Sequence, residues 1–140
     1  MQDKTLQLVS FEQAQKLKKL GFDWECCKFY YLEDTATEIL PTITGIWNLF
    51  KNSDFENPTS VSAPTVSLAL KWFRDERGWF GNINVLEDMD NKIRWFYDIK
   101  KVADFVGTDK NLRSFFNTYD EAETALLDVL IEIAEKEVEE

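Results

Sequence analysis

The sequence predicts an α+β fold with its elements in the order α-β-β-α-β-β-α. Three observations carry this. Three stretches space their apolar residues at helical intervals, each opened by a capping residue or a proline. Two pairs of runs rich in aromatic and β-branched residues read as antiparallel strands. Glycines stand where the first two helices must end. At 140 residues the chain fits one domain, 1–140, with an antiparallel sheet of about four strands and helices packed mainly on one face.

The first helix begins after Ser10, which with Gln13 three residues later forms a capping box. Phe11, Ala14, Leu17 and Leu20 make its apolar stripe, and Gln15, Lys16, Lys18 and Lys19 its polar side. Gly21 ends it, and Phe22 folds back on the last turn. Residues 26–32, CCKFYYL, follow as a strand. Residues 33–38 are a polar turn, and 39–47 a second strand that Pro41 makes short, bulged or an edge. The run KNSDFENPTS at 51–60 has the composition of a flexible surface loop.

The central stretch SAPTVSLALKWFRDERGWFGNINVLEDMDNKIRWFYDIK holds seven of the twenty aromatics. Pro64 marks the start of a helix, with Ser62 or Thr65 as its cap. Val66, Ala69, Leu70 and Phe73 form the stripe, widened by Leu68 and Trp72. Gly78 stops it, and LKKLGFDW and FRDERGWF occupy equivalent places at the two helix–glycine junctions. A hairpin comes next: strand 79–87, an Asp/Asn turn at 88–91, and strand 92–100. Phe80, Asn82 and Asn84 lie on one side of the first strand. On the second, Ile93, Trp95, Tyr97 and Ile99 share one face, and Arg94, Phe96 and Asp98 the other. A short helical turn at 102–106 and a loop from Gly107 lead to the last helix. Thr118 and Glu121 cap that helix, and Ala122, Ala125, Leu126, Val129, Leu130 and Ile133 face its core side. The tail from about 135 is expected to fray.

With 26 acidic and 16 basic residues the net charge is −10, a balance that disfavours nucleic acid as a partner. The acidity is local. From position 120 onward nine acids face one base, Lys136, whereas 62–113 is near neutral. No apolar run is long enough to span a bilayer, and MQDKTLQLVSFEQ has neither the basic nor the apolar region of a secretory signal. Cys26 and Cys27 are adjacent, which disfavours a bridge between them. They are expected as thiols, one inward and one outward, in a cytoplasmic protein.

Absence of histidine removes the Ser-His-Asp triad, the Cys-His pair and the commonest metal ligand. Counted from Asp88, a calcium loop needs glycine at the sixth position and glutamate at the twelfth; the chain has Ile93 and Ile99 there. The five glycines are scattered and form no phosphate-binding loop. No catalytic, cofactor-binding or metal-binding residue is assigned, and the chain is read as non-enzymatic. The unexplained feature is a surplus of aromatics, since both faces of the second hairpin carry rings and one covered face needs only one set. That surplus nominates Trp79, Phe80, Arg94 and Phe96 as an interaction surface, joined by Asp128, Glu132 and Glu135 on the acidic helix.

Together, LVSFEQAQKLKKLGF, SAPTVSLALKWFRDERG and NTYDEAETALLDVLIEIAE resemble a small-protein family of Bacteroides-type bacteria and their phages and mobile elements. Its members share a helix ending in Leu-Gly-Phe, a Ser-Ala-Pro-Thr helix start followed by Trp-(Leu/Phe)-Arg, and an Asn-Thr-Tyr-(Asp/Glu)-Glu-Ala start to the last helix. Here these are residues 20–22, 62–65 with 72–74, and 117–122, so the resemblance covers nearly the whole chain. It implies a phage or mobile-element product in a bacterial cytoplasm, with no activity or site residues attached. The expected function is binding of a macromolecular partner, most simply a protein, including inhibition of a host protein by an acidic surface. The alternatives are a small-ligand domain using the aromatic face with Arg74, Arg77 or Arg94, and a self-associating structural protein.

Overall fold

A computed structural model of the chain describes residues 7–34, 39–56, 59–101 and 115–139. The predicted helical turn at 102–106, its following loop as far as 114, and positions 35–38 of the first turn lie outside these residues. The fold is α+β, with three helices and two small antiparallel sheets. The chain groups into two compact units, Met1–Ser67 and Leu68–Glu140.

In the first unit, α1 (Phe11–Lys19) starts as its sequence dictates. The Ser10 hydroxyl accepts from the Gln13 amide at 3.1 Å, and the Gln13 side chain accepts from the Ser10 amide at 2.9 Å. Gly21 takes φ +98°, which an L side chain resists, and lets the Phe22 amide return to the Leu17 carbonyl at 2.9 Å. Strands β1 (Cys26–Asp34) and β2 (Ile39–Phe50) pair antiparallel, with Tyr31 opposite Thr42, and the register slips between Cys26 and Lys28. Pro41 sits opposite Leu32 in β2, an edge strand, the setting in which a sheet tolerates proline.

A third strand, β3 (Val61–Ser62), was not expected. It pairs with β1 at Phe29–Ser62 and Tyr30–Val61, giving the order β2-β1-β3. This corrects the expectation of a single sheet of about four strands. The second edge of β1 is taken by β3, and the later hairpin forms a two-stranded sheet of its own. Residues 7–9 run beside 64–66 through amide–carbonyl bonds of 2.8 and 3.0 Å. Helix α2 (Val66–Arg77) begins directly after Thr65, while Ser62 is spent in β3.

In the second unit, Gly78 at φ +73° ends α2 and turns the chain into β4 (Trp79–Glu87), which pairs with β5 (Ile93–Lys101). The turn is organised by Asp88. One carboxylate oxygen accepts from the Asp90 and Lys92 amides at 2.9 and 3.0 Å, the other binds Arg94 at 3.1 Å, and Asn91 takes φ +60°. The Lys92 amide above all, with Arg94, holds the Asp88 carboxyl below its ordinary range. Helix α3 (Tyr119–Glu139) opens with the Thr118 hydroxyl accepting the Glu121 amide at 3.1 Å. Ala122, Leu126, Leu127, Leu130, Ile131, Ile133 and Ala134 are all buried, so about half the circumference of α3 is core.

Helix α3 lies against one face of the β4–β5 hairpin. The approach is close at Gly81, where a β-carbon would come within 2.6 Å of a Leu126 methyl. The helix runs on to Glu139, past the end of its apolar stripe. One reason is visible: the Trp79 indole donates to the Glu137 carboxylate at 2.6 Å, tying the last turn of α3 to the first residue of β4.

Candidate functional site

Register divides the hairpin into two faces. The inner face, against α3, presents Trp79, Gly81, Ile83 and Val85 opposite Lys101, Ile99, Tyr97 and Trp95. The outer face presents Phe80, Asn82, Asn84 and Leu86 opposite Lys100, Asp98, Phe96 and Arg94. Phe80, Arg94 and Phe96, three of the nominated residues, therefore share one face. Trp79 does not. It is 7% exposed on the inner face, its indole N–H committed to Glu137, with the Lys101 ammonium 5.8 Å from its ring centre.

The outer face is mixed in character. At its centre the Asn82 amide donates to the Asn84 side chain at 3.2 Å, which donates in turn to Asp98 at 2.6 Å. Phe80, 36% exposed, stands at the end near α2. At the other end Phe96 meets the edge of Phe115 at 6.0 Å. Beside it, Trp95 and Phe116 exchange amide–carbonyl bonds of 2.9 and 2.8 Å, bringing residues 115–116 along β5.

Sequence reasoning missed the tip. Val85, Met89 and Ile93 are 52%, 102% and 53% exposed, beyond the part of the inner face that α3 covers. Val85 and Ile93 were visible as apolar members of the alternating pattern, but nothing local says where a helix packed on that face stops.

The acidic residues of α3 separate into two sets. Asp128, Glu132 and Glu135 project together from the exposed side, Glu132 paired with Lys136 at 3.3 Å in solvent. Glu132 is near enough to Tyr97 on the inner face of the hairpin to add to burial in pushing that phenol up, whereas Phe80, Arg94 and Phe96 lie on the outer face. Glu123 and Glu137 reach toward the hairpin side, Glu123 buried and Glu137 itself exposed. Glu123 is buried, and burial first, then its carboxylate, pushes the Tyr119 phenol up. Glu137 is the acceptor for Trp79.

The arginines considered for a ligand each have a partner within the chain. Arg74 binds Asp75 at 3.2 Å, the Arg77 guanidinium lies 5.6 Å from the centre of the Trp72 ring, and Arg94 is held between Asp88 and Asn117. A small anion on the hairpin would have to compete with these contacts.

In the first unit a cleft of about 440 Å³ opens between α1, β1 and β3, lined by Gln15, Lys18, Lys19, Leu32, Thr59 and Val61. The Lys18 ammonium donates to the Ser60 carbonyl at 2.9 Å. None of these residues was nominated by sequence. Cys26 is buried and Cys27 exposed, one inward and one outward as alternation requires. Burial above all, with Cys27 adjacent, pushes the Cys26 thiol up to about 11 against the pull of Ser62, so it is protonated and unreactive at neutral pH.

Among the described residues no group of three His, Cys, Asp or Glu is placed to hold a metal ion, and no helix is long and apolar enough to cross a membrane. No protein-family model, curated protein or solved structure matches the chain.

Proposed function

We propose that the chain acts by binding a protein partner through the β4–β5 hairpin, as a non-enzymatic accessory protein of the phage or mobile-element kind that its motifs resemble. One observation carries this reading: exposed apolar side chains concentrate on that element. Phe80, Val85, Met89 and Ile93 all lie on the hairpin, and Phe115 beside it. Phe80 stands exposed on the outer face and Val85, Met89 and Ile93 at the tip, without cover among the described residues, and a partner that engages the outer face and the tip together would bury them. The Asn82–Asn84–Asp98 chain between the apolar ends supplies the directional polar contacts that a protein interface also uses. Arginine pairing within the chain favours this reading over a small-ligand site.

A second reading rests on Asp128, Glu132 and Glu135. Three carboxylates on one exposed helix side can occupy a basic groove of a host protein, as the phosphates of a nucleic acid do. Both readings are tested by immobilising the chain in host-bacterial lysate at low salt and identifying retained proteins by mass spectrometry. The hairpin reading expects a protein retained by the wild type and by the Asp128→Lys/Glu132→Lys/Glu135→Lys variant, and lost with Phe80→Glu/Met89→Glu. Loss only with the lysine variant transfers the function to α3. Retention of nothing, with a dimer in light scattering that Met89→Glu dissociates, makes the hairpin a self-association surface instead.

A further inference from the structure

We propose that the cleft between α1, β1 and β3 binds a small amphipathic anion, a carboxylate carried on an aliphatic body. Its volume of about 440 Å³ falls in the range of small-molecule sites. Its chemistry is the reverse of the chain's: in a protein of net charge −10, the titratable side chains among its described lining residues are two lysines, Lys18 and Lys19. Basic residues in the last turn of a helix have a structural explanation in the helix dipole, and Lys16 and Lys19 need no other. Lys18 does more. Its ammonium donates to a carbonyl 42 residues away, at Ser60, beside Thr59 of the lining, which fixes where its charge stands.

The rest of the lining suits the other end of such a molecule. Val61 is buried and Leu32 half-buried, so two aliphatic side chains supply apolar surface to the lining. Gln15 and Thr59 add neutral hydrogen-bonding groups. An ammonium placed beside apolar surface attracts a carboxylate more strongly than one in open water, and repels a cation of the same shape. Head and tail must therefore be joined in one molecule for both parts of the cleft to act. This site lies in the first unit and shares no residue with the hairpin, so either proposal can fail alone.

The test uses the whole chain, labelled for NMR, titrated with octanoate, octylammonium, acetate and inorganic phosphate. Octanoate is expected to shift the Leu32 and Val61 methyls together with Lys18 and Lys19, and to bind more tightly than the other three. Lys19→Gln, an exposed change whose fold the amide spectrum verifies, should weaken octanoate about fivefold, the factor for the upper end of exposed ion pairs. The Lys18→Gln/Lys19→Gln variant should lose the shifts. Octylammonium binding as well as octanoate would overturn the anion, and phosphate binding as well would overturn the aliphatic body. Octanoate shifts confined to the Val85 and Ile93 methyls of the hairpin would overturn the site.

Discussion

Asn52 lies in a stretch, KNSDFENPTS, whose composition is that of a solvent loop, and yet it is only 6% exposed. Its amide donates to the Phe22 carbonyl at 2.7 Å and its oxygen accepts the Ser62 amide at 2.8 Å. One side chain thus satisfies a backbone acceptor at the end of α1 and a backbone donor in β3. Asn52→Ala would strand both groups and should cost roughly 2–4 kcal/mol in urea unfolding; Asn52→Asp, which keeps only the acceptor, should fall between. Asp88 offers a pH test. Its carboxyl is depressed in the folded chain, so its contribution is complete above the ordinary carboxyl value of 3.8 and lost as pH falls through the lower folded value. Asp88→Asn should flatten that acid limb of the urea midpoint and leave the neutral region with a lower, pH-independent midpoint.

At the scale of elements, the second hairpin was legible from alternation alone, and the observed strands differ from the predicted ones by a residue at most. Local signals carry such elements because period and turn chemistry act within a few residues. The packing of α3 on the hairpin depends on a distant pair, Gly81 and Leu126, and alternation marks Gly81 only as a gap. Gly81→Ala should cost about 1–3 kcal/mol by overpacking. In a Leu126→Ala background, itself costing about 2–5 kcal/mol, the same change should cost less than half as much; equal costs would mean that α3 does not approach there. Trp79–Glu137 spans 58 positions and is equally invisible to a local reading. Glu137→Ala should speed amide exchange in the last turn of α3 while leaving its middle turns protected.

For the molecule as a whole, the α+β class was readable, but the partition into sheets was not. Strand β3 is two residues long, too short for any periodicity, and it exists because β1 has a second edge to offer. The same limit governs the surfaces. Phe80 and Phe96 were readable as a surplus, whereas the exposed tip and the lysine-lined cleft depend on where other elements end. Charge gives a molecule-wide prediction that separates the two partner readings. A complex held by Asp128, Glu132 and Glu135 should weaken steeply between low and physiological salt, and one held by the hairpin's apolar residues should not. Co-elution of the isolated complex at both ionic strengths measures this.

The inward–outward split of the cysteine pair has a practical consequence. With Cys26 shielded and Cys27 in solvent, iodoacetamide at pH 8 should add one group to the native chain and a second only after unfolding. Oxidation of the native chain can then join two copies through Cys27 and no more, because each copy offers a single valence. The same thiol is a ready-made address for one probe on β1, from which opening of the three-stranded sheet could be followed without engineering a new cysteine.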